Sequence, residues 1–168
     1  MDSRHCGVAW VTLGLLAMLS ACSAYGPSGL GSGVELADVT KSMGPPTGEY
    51  SLPGAGKRLE FARGPFGKHT YMLDFDRGGR LVSWEQVLTE PHFNAVSLGV
   101  TRDEVLMSLG HPSDERRIPR QGRTLWSYRY EAPVCQWFQV GLDAAGRVVD
   151  SGYGPDPLCD HNDPPEPR

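Results

Sequence analysis

The stretch 101-TRDEVLMSLGHP-112 decides the fold, because 32-SGVELADVTKSMGPP-46 repeats its pattern 66 residues earlier. Val39, Met43, Gly44 and Pro46 fall on Val105, Leu109, Gly110 and Pro112. Ser32-Gly-Val-Glu35 and Thr101-Arg-Asp-Glu104 both match the capping box, in which a hydroxyl accepts from the N3 amide and a glutamate reaches back to the cap amide. Leu36, Val39 and Met43, like Val105 and Leu109, then share one helical face, the glycines end the helices, and the prolines prevent continuation.

Beyond each helix the period changes to two, and the offset becomes 67, setting Phe61, Tyr71, Leu73, Phe75 and Asp76 on Tyr128, Phe138, Val140, Leu142 and Asp143. Strands are predicted over Leu59 to Phe61, His69 to Phe75 and Arg80 to Val87, and again over Thr124 to Tyr130, Cys135 to Leu142 and Arg147 to Tyr153. Asp76-Arg-Gly-Gly79 and Asp143-Ala-Ala-Gly146 read as hairpin turns with glycine supplying positive φ. A second short helix is expected over Pro91 to Ser97, since Phe93 and Val96 lie three apart. The fold class is therefore α+β: two tandem repeats, each one or two short helices on a three-stranded antiparallel meander, over residues 34–90 and 91–159.

The length of 168 residues, 39% hydrophobic and 21% charged, leaves no room for a large multidomain enzyme. A net charge of −4 without a basic stripe gives no electrostatic support for nucleic acid. The 21 glycines and 14 prolines suit short elements joined by turns rather than a helical bundle.

Ahead of the repeats, Arg4 precedes a largely apolar run from Val8 to Leu19, which falls short of the roughly 20 residues needed to cross a bilayer. It reads as a signal peptide over residues 1–21. Leu19-Ser20-Ala21-Cys22 resembles a bacterial lipobox, which implies cleavage before Cys22 and its acylation. Two or three acyl chains give stable membrane anchoring, and Ser23, where inner-membrane lipoproteins carry aspartate, implies the periplasmic side of the outer membrane. Residues 22–33, rich in glycine and serine, read as a flexible tether, and 160–168, with three prolines, as a disordered tail. With Cys6 removed and Cys22 acylated, Cys135 and Cys159 remain as an even pair in an oxidising compartment. A disulfide is expected, worth on the order of 3 kcal/mol; two buried thiols are the alternative.

The run from Phe93 through Gly99-Val-Thr-Arg-Asp-Glu-Val105 and Leu109-Gly-His-Pro112, followed by Trp126-Ser-Tyr128 and the Asp143-Ala-Ala-Gly-Arg-Val148 turn, resembles the SmpA/OmlA (BamE-like) outer-membrane lipoproteins. Residues 92–153 carry nearly all of that pattern, and the first repeat matches it more loosely. The resemblance implies a small periplasmic ααβββ domain and a non-enzymatic, protein-binding role in outer-membrane assembly or envelope integrity. Tandem copies with a disulfide also look like the β-lactamase inhibitor protein architecture, which implies, as the alternative, an inhibitor or regulator of a periplasmic enzyme.

A sheet that binds protein needs aromatic side chains on its uncovered face. If Phe138, Val140 and Leu142 face the helices, then Cys135, Trp137 and Gln139 face away, with Thr70, Met72 and Asp74 as their counterparts in the first repeat. Trp126, Tyr128 and Tyr130 share one face, either open or part of the core. These three rings and Trp137 are the candidate partner-binding residues. Asp74 and Asp76 lie two apart but lack any accompanying nucleophile, and Asp76 suits the turn. His69, His92, His111 and His161 show no metal-ligand spacing and are expected to be solvated. Gly54-Ala-Gly56-Lys57 lacks the first glycine of a phosphate loop and reads as a turn. Neither a cofactor nor a small-molecule substrate is expected; the partners expected are a membrane, through the lipid, and envelope proteins.

Overall fold

The computed structural model describes residues 26–63 and 67–159. The expected signal peptide, the acylated Cys22, the first residues of the tether, and the tail with His161 lie outside the described residues. The first repeat comprises α1 (Leu36–Met43), β1 (Gly48–Ser51), β2 (Lys57–Arg63), β3 (His69–Phe75) and β4 (Leu81–Gln86). The second comprises α2 (Glu90–Asn94), α3 (Arg102–Leu109), β5 (Asp114–Ile118), β6 (Arg123–Arg129), β7 (Gln136–Leu142) and β8 (Val148–Pro155). Each set of strands forms an antiparallel sheet in chain order, β1-β2-β3-β4 and β5-β6-β7-β8, so the chain is α+β with two similar repeats.

The repeats agree in hydrogen-bonding detail. Asp76 Oδ1 accepts from the Gly78 and Arg80 amides, and Asp143 Oδ1 from those of Ala145 and Arg147. Leu81 is clasped by Gly33 and Val34, as Val148 is by Gly99 and Val100. Gly44 and Gly110 end α1 and α3 with φ near +78° and ψ near 180° (79°, −170° and 77°, −166°), a conformation open essentially to glycine alone.

Two expectations need correction. Each meander has four strands, because β1 and β5 add to the open edges of β2 and β6. Their sequences, GEYS and DERRI, are too short or too polar to show apolar alternation: β5 is exposed along nearly its whole length, and in β1 only Tyr50 turns inward, against the second core; their main chains complete a ladder already formed. The capping box is made only in the second repeat, where Thr101 Oγ1 accepts from Glu104 N at 3.3 Å and Glu104 Oε2 accepts from Thr101 N at 2.6 Å. In the first, the N-cap is Glu35 without a side-chain cap bond, and Ser32 donates to the Leu81 carbonyl instead. The helix start follows the bridges Glu35–Arg80 and Thr101–Arg147, which make Glu35, not Ser32, the counterpart of Thr101.

Val39 and Met43 of α1 close over Leu59, Phe61, Leu73, Phe75 and Leu81. The second core joins Phe93, Val105 and Leu109 to Trp126, Tyr128, Tyr130, Phe138, Val140, Leu142 and Val148, and it also takes in Met72, Val87 and Leu88 from the first repeat. Phe93 organises it, stacking on Phe138 at 4.5 Å and meeting Tyr130 edge-on at 5.0 Å. A buried phenylalanine contributes about 2–3 kcal/mol by burial, and each such ring pair about 0.5–1.5 kcal/mol more.

Candidate protein-binding surface

Strand alternation gives each sheet two faces. In the first sheet Leu59, Phe61, Leu73 and Phe75 face α1, so Tyr50, Arg58, Glu60, Thr70, Met72 and Asp74 share the other face through the pairings Tyr50–Arg58–Asp74 and Glu60–Met72. That face receives the second repeat. Met72 enters the second core, and Arg58 Nη1 donates to the Met107 carbonyl, 3.0 Å away near the end of α3. At its centre Glu60, 0% exposed, accepts from Thr47 Oγ1 (3.0 Å), Tyr50 Oη (2.6 Å), the His111 amide (3.1 Å) and His111 Nδ1 (2.8 Å). Thr47 and Tyr50 belong to the first repeat and His111 to the second, so one carboxyl group ties the two together. Gly110 makes the approach possible: a Cβ there would stand 2.8 Å from Glu60 Cδ.

Electrostatics follow from this closure. Burial, reinforced by the bond to Glu60, pushes the Tyr50 hydroxyl well above its ordinary pKa. Burial does the same to Tyr128, whose hydroxyl donates to the Gly110 carbonyl at 3.1 Å. Arg58 is raised chiefly by its two bonds to Asp74, at 2.6 and 2.8 Å. Asp74 is thus the partner of a structural arginine, and Asp76 caps its own turn.

The same face of the second sheet is built on the same plan and has a different fate. The 67-residue offset replaces Arg58, Glu60, Thr70, Met72 and Asp74 by Leu125, Ser127, Trp137, Gln139 and Gly141. Neither hydrophobic cluster of the described residues includes Leu125 or Trp137. A Cβ at Gly152, beside Gln139, would meet open space. Gln139 Nε2 donates to Ser127 Oγ at 3.1 Å, and Arg123 and Asp150 pair at 2.7 Å beside Gly141.

One end of this open face is stiffened. Arg129 holds Asp156 through two bonds, 2.7 and 3.1 Å, while its guanidinium lies 5.2 Å from the Trp137 ring centroid. Burial by itself would raise the Asp156 pKa, but the Arg129 bonds and the Leu158 amide outweigh it and hold the carboxyl below its ordinary value. Cys135 and Cys159 are joined as a disulfide, Cα atoms 6.2 Å apart, and pin the segment after β8 against the start of β7.

The candidate residues therefore separate. Of the two alternatives left for Trp126, Tyr128 and Tyr130, the structure takes the core one, 2%, 0% and 4% exposed, so these three candidate partner-binding residues are not on an open face. The reason is that they share the face of Phe138, Val140 and Leu142, beneath α2 and α3. Their polar atoms are satisfied inside: Trp126 Nε1 donates to Glu115, Tyr128 to Gly110, and Tyr130 to Glu90 while accepting from Gln136. Trp137 does lie on the open face, though packed to 6% exposure under Arg129. Thr70, Met72 and Asp74 share the equivalent face of the first sheet as expected, but that face is closed by the second repeat. His111 is exposed, as expected, and its Nδ1 also bonds Glu60 across the repeats, which the sequence did not show; His92 is half-buried and bonded to Thr89 at 2.8 Å and Glu85 at 3.2 Å. Gly54-Ala-Gly56-Lys57 forms a turn leading into β2. Glu60 escaped the sequence reading; the available signal was a lone acid between two core residues, Leu59 and Phe61.

The chain matches no protein-family model and no curated protein. Among solved structures it is similar to a cysteine-rich secretory protein from Staphylococcus aureus, at 13% identity with a TM-score of 0.27. The similarity covers 75% of this chain and 45% of that one, so the chain spans less than half the length of that protein, and a likeness at this level supports no conclusion about fold or function.

Proposed function

We propose that the chain is a non-enzymatic binding module, anchored through lipid on Cys22 at the periplasmic face of the outer membrane, and acting in outer-membrane assembly or envelope integrity. The observation that carries the reading is the face of the second sheet that no helix of the described residues covers, whose counterpart in the first sheet receives the second repeat. A rigid sheet face loses little conformational freedom on binding, which leaves more of the contact energy as affinity. The lipid would add effective concentration by confining module and partner to one surface. The lipobox and the SmpA/OmlA-like motifs of the second repeat support the address and the role.

Crosslinking the acylated protein in intact cells, with Cys22→Ser as the unanchored control, tests this. Recovery of outer-membrane assembly proteins, lost in the control, is the expected result. Recovery of one soluble enzyme, unchanged without the anchor, would refute the assembly role and leave the inhibitor reading.

A further inference from the structure

We infer that the outer edge of the first sheet, at Tyr71, Val82 and Trp84, rests in the headgroup layer of the bilayer that holds the acylated Cys22. The inference rests on the lipid anchoring proposed above and adds how the folded body lies on its membrane.

Two observations meet at this edge. The first is exposed apolar surface. β4 is the outermost strand of its sheet, and Val82 and Trp84 on it are 57% and 40% exposed. Trp84 pairs with Leu73 and so projects on the α1 side of the sheet, where its ring meets that of Tyr71 edge-on at 6.1 Å. Val82 is the unpaired residue of the bulge between the Leu81–Phe75 and Ser83–Asp74 pairings, a device that turns a side chain off the regular pleat.

The second is the path of the chain ahead of α1. Pro27 is buried, Leu30 packs against the first core, and the Gly33 amide and Ser32 hydroxyl donate to the Leu81 carbonyl on β4. Gly26, where the described residues begin, lies so close to Tyr71 that a Cβ on it would stand 2.8 Å from the Tyr71 hydroxyl oxygen. The described chain thus starts beside the Tyr71–Trp84 pair. Cys22 stands four residues before Gly26, and four residues of fully extended chain reach at most about 14 Å. With the acyl chains of Cys22 in the hydrocarbon, so short a link holds this edge at the membrane surface.

The residue types suit that depth. Tryptophan and tyrosine settle at the headgroup level, with the ring toward lipid and the polar atom toward water. An edge strand keeps main-chain groups that need water or headgroup partners, which sets the contact in the headgroup layer and not in the hydrocarbon. The bilayer is present wherever the anchor is, and a protein on this edge would have to displace it.

The test puts the acylated protein into vesicles of phosphatidylethanolamine and phosphatidylglycerol whose acyl chains carry bromine near the headgroups, and reads tryptophan emission. The other tryptophans of the mature chain, Trp126 and Trp137, are 2% and 6% exposed, so quenching by lipid reports Trp84. Wild type is expected to lose emission relative to unbrominated vesicles, and Trp84→Phe to lose none. Val82→Asp, which places a charge in the contact, should cut the quenching by about half or more at an unchanged urea midpoint. In cells, p-benzoylphenylalanine at position 82 should give phospholipid adducts. Adducts to another protein or to a second copy would overturn the lipid surface as the occupant. A wild-type protein that floats with the vesicles while its emission is unquenched overturns the contact and leaves the anchoring intact. A chain isolated from cells without lipid on Cys22 overturns both, since the short link to the membrane is then gone.

Discussion

Replacing Glu60 probes the junction between the repeats at its most sensitive atom pair. Its two oxygens take four side-chain and backbone donors in a site closed to solvent. In Glu60→Ala, the Tyr50 hydroxyl and the His111 amide face a cavity; each unmet buried donor costs about 1–3 kcal/mol, so a total of about 2–6 kcal/mol follows. Glu60→Gln should cost less, about 1–2 kcal/mol. The glutamine oxygen can keep the place of Oε1, which serves the rigid His111 amide and Thr47, while its NH2 takes the place of Oε2. There the Tyr50 hydroxyl can rotate to accept, and the imidazole can present an unprotonated nitrogen. Urea unfolding of the soluble Cys22→Ser protein measures both, against a total stability of about 5–15 kcal/mol for a chain of this kind. His111→Ala combined with Glu60→Gln should be non-additive, because the two residues share a bond. A cost below about 1 kcal/mol for Glu60→Ala would refute the argument, since it would mean the donors find water as easily as they find the carboxyl group.

Three further outcomes are expected. Gly110→Ala should be more damaging than Gly44→Ala in the same urea assay: both require positive φ, but only at 110 does the new methyl collide with buried Glu60, whereas at 44 the nearest atom is 3.8 Å away. The advantage of wild type over Asp156→Asn should be constant above about pH 5 and shrink below about pH 4, because a carboxyl held below its unfolded pKa of about 3.9 stabilises the fold only while ionised; an advantage that grows with acid would reverse the assignment. Cys135→Ser should cost on the order of 3 kcal/mol by releasing the link across 24 residues, read as a fall in thermal midpoint that reducing agent reproduces in wild type.

What could be read from the sequence was whatever local chemistry dictates. Gly44 and Gly110 with their following prolines, and Asp76 and Asp143 at their turns, announce structure through backbone requirements that hold in any surroundings. Phe138, Val140 and Leu142 declared a buried face by alternation. The strands β1 and β5 did not declare themselves, because edge strands answer to a neighbouring main chain, and only Tyr50 among their side chains turns into a core, one supplied by the other repeat. Trp126, Tyr128 and Tyr130 were ambiguous for a related reason: alternation shows that they share a face, but which face is covered depends on where α2 and α3 come to rest. The junction was hidden most deeply. Glu60 is tolerable in a core only because His111, far along the chain, brings donors to it, and neither residue signals the other.

That separation bears on the order in which the protein acquires its structure. Glu60 and His111 lie 51 residues apart, so as synthesis proceeds from the N-terminus the first sheet is complete before its carboxyl group can meet the histidine. Until then that face carries Met72 and Glu60 uncovered, with Val87 and Leu88 waiting at the end of the nascent segment. Long-range closures of this kind slow folding and expose apolar surface meanwhile. The first repeat is thus the half that a holding chaperone would need to protect, and the arrival of α3 is the event that releases it.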